Sequence, residues 1–140
     1  MLSPRSLQGT VLAVALVSGL AFPAIAGSMP APIHRGAITY ITGGIGLGEQ
    51  DALETQAHNY NLAITNANKA GDFTNDTALS IRGKNGDVLY VANTGPLFYA
   101  KLPPGNYVIH ASNAGQTRTH DVKVAAMGTT DLHLIWPQRG

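Results

Sequence analysis

From residue 37 onward, apolar side chains recur at every second position in short runs separated by glycine, proline and asparagine. The clearest run is Gly95 to Ala111, GPLFYAKLPPGNYVIHA, where Leu97, Phe98 and Tyr99 lead into Pro103-Pro104-Gly105 and Tyr107, Ile109 and Ala111 alternate out of it. Proline fixes φ and lacks an N–H, and glycine admits the positive φ of a type II turn, so this spacing predicts two strands joined by a rigid corner. The same period of two marks AITYIT at 37–42, Leu62 and Ile64 within 60–68, Leu79 and Ile81 within 77–83, and VLYVA at 88–92. It returns with Val122 and Val124 after Gln116, and with Leu132, Leu134 and Trp136 at the end. Turn signals at Asn85-Gly86, Asn93 to Pro96, Asn113 to Gln116 and Met127-Gly128 punctuate the runs about every ten residues, which predicts a mainly β chain folded as a seven-stranded β-sandwich.

One stretch breaks the pattern. After Gly43-Gly44-Ile45-Gly46-Leu47-Gly48, residues 49–59 place Leu53, Ala57 and Tyr60 on one helical face, with Glu49, Asp51 and Glu54 in the first turns, where the helix dipole favours acids. A strand, a glycine-rich turn and a helix invite comparison with dinucleotide sites. Gly44, Gly46 and Gly48 give GxGxG rather than GxGxxG, however, and no strand–helix alternation follows to build a parallel sheet. The glycines are read instead as a turn that lets a short N-terminal helix pack on the sheet.

The first 26 residues have a different texture. Arg5 precedes an uncharged apolar run from Val11 to Ile25 that ends in Ala24-Ile25-Ala26, the layout of a secretory signal with cleavage before Gly27. Pro23 and the short run fall below the roughly 20 residues a spanning helix needs. The expected organisation is therefore a signal peptide at 1–26, a flexible leader at 27–36 holding two prolines and two glycines, and one domain at 37–137, working in the periplasm or secreted. There is no cysteine, so neither a lipid anchor nor a disulfide follows export. Of nine basic side chains one is Arg5; the rest balance eight acidic ones and are dispersed, which argues against a nucleic-acid or membrane-surface binder.

The DTALSIRG-like strand, the Asn85-Gly86 turn, the GPLFYAKLPPGNYVIHA stretch and the alternating end at Trp136 together resemble the carboxypeptidase regulatory-like domain, a transthyretin-like β-sandwich. More narrowly, GGIG followed by Glu49, the helix, Tyr60-Asn61-Leu62 and LPPGNY resemble small periplasmic proteins of proteobacteria that carry this domain. The resemblance covers residues 39–136. It implies the fold and a non-catalytic accessory or binding role, with no catalytic residues and no cofactor. Transthyretin-like sandwiches include a 5-hydroxyisourate hydrolase, but the ending Trp136-Pro137-Gln138-Arg139-Gly140 departs from that enzyme's tyrosine-bearing tail.

Five histidines offer metal chemistry, though without HxxxH pairs. If 116–124 and 129–136 form a hairpin, Asp121 falls beside His133, with His110 on the same outer face opposite Thr119. His110, Asp121 and His133 are thus the candidate ligands for copper or zinc in an alternative reading. Serines 28, 80 and 112 sit in no GxSxG elbow. Among the aromatics, Tyr107 and Trp136 share the parity of core positions, whereas Phe98 and Tyr99 are adjacent and face opposite sides of a strand. One of Phe98 and Tyr99 is accordingly expected at the surface as the binding contact. The partner expected is a protein, peptide or glycan of the cell envelope.

Overall fold

The computed structural model describes residues 29–46 and 48–137. The expected signal peptide lies outside the described residues. Within them the chain forms two facing sheets and one short α-helix.

The first sheet contains β1 (Ile33–Arg35), β2 (Ile38–Gly43), β3 (Leu62–Asn68), β6 (Leu97–Lys101) and β9 (Thr130–Trp136), in the order β1-β2-β6-β3-β9. The second contains β4 (Thr77–Gly83), β5 (Gly86–Thr94), β7 (Gly105–Asn113) and β8 (Gln116–Val124), in the order β5-β4-β7-β8. All pairings are antiparallel except β3 with β9. Alternation places Leu62, Ile64, Phe98, Leu134 and Trp136 of the first sheet against Leu79, Ile81, Ile109, Val122 and Val124 of the second. Each methylene removed from water there contributes about 0.8 kcal/mol, so this shared core holds the layers together. Its one fully buried amide, Asn66, accepts the Trp136 indole N–H on Oδ1 at 3.0 Å.

Among the described residues nine strands stand where seven were expected. One addition, β1, comes from the segment read as a flexible leader: Gly36, at φ 61, turns the chain so that 33–35 pair with 38–40. The helix is also shorter than the periodicity suggests. It spans Glu49–Glu54 (α1), and a 3-10 turn follows at Ala57–Asn59. The Thr55 hydroxyl donates to the Ala52 carbonyl at the break, a local bond that competes with helix continuation. Leu53, Ala57 and Tyr60 nevertheless share one apolar cluster with Ile41, Leu97 and Tyr99, so the helical segment lies on the outer face of the first sheet.

The corner at Pro103-Pro104 carries the chain from β6 in one sheet to β7 in the other. The Tyr107 hydroxyl donates to the Pro103 carbonyl at 2.6 Å and latches it. Gly105 opens β7 at φ 156 instead of taking the φ near +80° of a type II turn. Between β7 and β8, Ala114 (φ 51) and Gly115 (φ 83) form a two-residue hairpin loop with both φ positive, the type I′ arrangement. Alanine in that region is strained by about 1 kcal/mol, whereas asparagine tolerates it. Ala114→Asn is therefore expected to stabilise the protein by about 0.5–1 kcal/mol in urea unfolding; a variant that melts earlier would contradict the turn type.

Candidate functional site

Phe98 and Tyr99 are both buried, 0% and 4% exposed, so neither is the surface contact expected. Phe98 faces the shared core and stacks near Tyr40, with ring centroids 5.5 Å apart. Tyr99 faces outward, but the helical segment covers it and its ring lies 6.1 Å from that of Tyr60. Burial, joined by the nearby charges of Glu54 and Asp131, pushes its phenol up to about 12. A strand with sheet on both edges and cover on both faces has no exposed side.

The proposed His110, Asp121 and His133 group does not assemble. Thr119 does pair with His110, and its hydroxyl lies 3.1 Å from His110 Nδ1. The last strand, however, joins the other sheet beside β3, where His133 is level with Thr65. Asp121 and His133 thus occupy outer faces that point away from each other. Among the described residues no group of three or more histidine and carboxylate side chains converges.

The glycine-rich turn has an internal function. Backbone N–H groups of Gly44, Ile45 and Gly46 all donate to Glu49 Oε1, at 2.7, 2.9 and 3.2 Å. This nest of amides already holds an anion, the chain's own carboxylate, and so anchors the start of α1. Bonds from Gly46, then Gly44 and Ile45, hold the Glu49 carboxyl below the ordinary carboxylate range, against a smaller opposing effect of burial. A depressed folded-state value means the stabilisation is present above about pH 4.3, the unfolded value, and is lost as pH falls through the folded one. Glu49→Gln is expected to cost about 1 kcal/mol at neutral pH, since solvent screens a half-exposed site. The gap between variant and wild type in melting experiments should close below about pH 4; a pH-independent gap would mean the nest does not read charge.

A cleft of about 1050 Å³ lies at the end of the second sheet. The β4–β5 hairpin forms one wall, the Pro104-Gly105 corner another, and the outward faces of β7 and β8 the floor and far rim. Cross-strand register explains its contents: Arg82 pairs with Val108, which pairs with Asp121, and Asn106 lies opposite Lys123. Lys84 and Asn85 project from the hairpin tip. Gly83 lets the Tyr107 ring and Val88 pack closely, because a Cβ there would stand 3.3 Å from both that ring and a Val88 methyl. The Arg82–Asp87 contact at 2.8 Å is the one ion pair among the described residues, so Lys84, Lys123 and Asp121 are unpaired there. Sequence reasoning missed this cleft because its cations come from two separate strands and a turn; the pairing of Arg82 with Asp87 across an Asn-Gly turn was the one local signal.

No helix of the described residues is long and apolar enough to cross a membrane. No family model matches the chain, and no curated protein matches it. Among solved structures it is similar to one titled "The Bacillus anthracis TIE protein", at 19% identity over 56% of this chain, with a TM-score of 0.43. The match spans 16% of the length of that protein.

Proposed function

We propose that the chain is a non-catalytic periplasmic accessory module of the carboxypeptidase regulatory-like type, which binds a protein, peptide or glycan of the cell envelope through the cleft at the end of its second sheet. The observation that carries this reading is the cleft itself. A concavity of about 1050 Å³ combines unpaired charges of both signs with amide groups, on a floor of paired strands whose geometry is rigid. Such a surface holds and orients a ligand. The export pattern of the first 26 residues supplies the compartment.

The test is capture from an envelope extract on immobilised protein, comparing wild type with a Lys84→Glu/Lys123→Glu variant, with envelope glycans assayed in parallel. Retention by wild type and loss by the variant is the expected result. Equal retention by both, or none by either, would remove the cleft from the account. N-terminal sequencing of protein from the periplasmic fraction should begin near Gly27; recovery of the uncleaved chain in the cytoplasm would overturn the location.

A further inference from the structure

We propose that the ligand of this cleft is a carboxylated oligosaccharide, a chain of uronic-acid type, an inference that rests on the binding reading above and narrows it.

Three properties of the cleft select this class. The first is backbone pairing. The cleft crosses the ends of β4 and β7, and each of these strands has a hydrogen-bonded neighbour on both sides, β5 and β7 for the one, β4 and β8 for the other. An extended peptide gains affinity chiefly by adding to a free strand edge; the free edges of this sheet are the outer sides of β5 and β8, which point away from the central strands that the cleft crosses. Recognition here runs through side chains, as it does for sugars.

The second is the mixture of signs. Lys84 and Lys123 are exposed and unpaired among the described residues, and Arg82 lies between them on the register path from hairpin to β8. The two unpaired ammonium groups attract an anion, while Arg82 is held by Asp87. Asp121 sits on the same rim, directly across from Val108, and accepts hydrogen bonds without donating any. An ionised polyphosphate has no donor to give it and is repelled by it. A uronate chain has both parts: carboxylates for the ammonium groups, and hydroxyl donors for Asp121 and for the amide oxygens of Asn85 and Asn106. The third is the floor. Val108, on the outward face of β7 level with Arg82 and Asp121, and the exposed Val88 of the hairpin present apolar surface to the C–H face of a pyranose ring.

At about 1050 Å³ the cleft lies just above the roughly 300–1000 Å³ range of small-ligand pockets, room for a few sugar rings.

Calorimetry and amide chemical-shift mapping on the exported protein test the assignment with four probes, oligogalacturonate, its methyl ester, a neutral maltooligosaccharide of equal length and a glutamate-rich peptide, and with inorganic polyphosphate as a control anion. Oligogalacturonate should shift the amides of Arg82, Asn85, Val108 and Asp121, and weaken steeply with added salt. The ester should bind about tenfold or more weakly, because it keeps every hydroxyl and loses the charge-assisted contacts. Lys84→Ala and Lys123→Ala should each weaken binding about tenfold with unchanged melting, as both side chains are exposed. Asp121→Asn should weaken the sugar while leaving or strengthening inorganic polyphosphate. If the peptide binds at these amides more tightly than the sugar, the ligand class is wrong and the binding module stands. Equal affinity for ester and acid overturns the role of charge, and silence of the cleft amides towards all four probes overturns the proposal outright.

Discussion

Asn61→Ala is expected to lower the stability of this protein by about 3 kcal/mol, a large fraction of what a domain of this size possesses. The Asn61 side chain is 5% exposed, and all of its bonding is to backbone that belongs to other elements. Its Nδ2 donates to the Leu102 carbonyl at 2.8 Å and the Ala125 carbonyl at 3.1 Å, and its Oδ1 accepts the Leu102 N–H at 2.9 Å. Its own backbone adds bonds from its N–H to the Ala100 carbonyl and from the Thr130 N–H to its carbonyl. One amide therefore ties the start of β3 to two of the four places where the chain changes sheets, the β6–β7 corner and the β8–β9 connection. Alanine removes three bonds and leaves their backbone partners short of water, at about 1–3 kcal/mol for each buried group. Asn61→Asp provides a sharper test at nearly constant volume. It keeps the acceptor for Leu102 N–H but turns a carboxylate oxygen towards two carbonyl oxygens, which raises the folded-state pKa of the new acid. The penalty is then greatest at neutral pH, shrinks as pH falls through that raised folded value, and is least below about 4, the unfolded value. A loss under about 1 kcal/mol for alanine, or a pH-independent loss for aspartate, would show that the corners hold without Asn61.

The second large effect is expected at Gly95, between β5 and β6 where the chain passes from the second sheet to the first. A Cβ built on Gly95 would lie 2.6 Å from the Gly43 carbonyl oxygen and 2.8 Å from both its carbonyl carbon and Cα. These obstacles are backbone. Gly43 is held in the β2–β6 ladder opposite Leu97, and the Gly95 N–H donates to the Thr42 hydroxyl at 2.9 Å, which in turn donates to the Leu97 carbonyl at 2.7 Å. Relieving the overlap means opening that network, so Gly95→Ala should cost about 3 kcal/mol, at the upper end of overpacking effects. Gly36→Ala is the control. Its φ of 61 imposes conformational strain, but nothing lies within 4 Å of its Cβ position, and about 1 kcal/mol is expected. If the two variants unfold at the same urea concentration, close backbone approach is not what glycine provides at position 95.

Much of the fold was legible because alternation is local. In a strand, neighbouring side chains point to opposite faces whatever the strand later pairs with, so Leu79 and Ile81, Tyr107 and Ile109, and Leu134 and Trp136 announced a shared buried face before any partner was known. The same holds for Leu53, Ala57 and Tyr60, which the helical period placed together even though the helix itself stops early. The candidate site was not legible. Five residues separate β8 from β9, a length that suits a hairpin, and the hairpin put Asp121 beside His133. Instead Ala125 to Thr129 crosses between sheets. Asn61 holds the Ala125 carbonyl, and the Thr129 hydroxyl donates to the Tyr60 carbonyl at 2.6 Å, which delivers β9 to the open edge of β3.

The amino-acid order alone thus determined the mainly β character, the turn positions and the inward set of each strand, because backbone preference and period-two patterning act over a few residues. Tertiary structure alone decided which sheet each strand enters, that the helical segment covers Tyr99, and that Arg82, Lys84, Asp121 and Lys123 meet in one cleft. Those outcomes depend on bonds such as Asn61 to Leu102 and Ala125, between residues 41 and 64 positions apart in the chain, whose pairing no local pattern encodes.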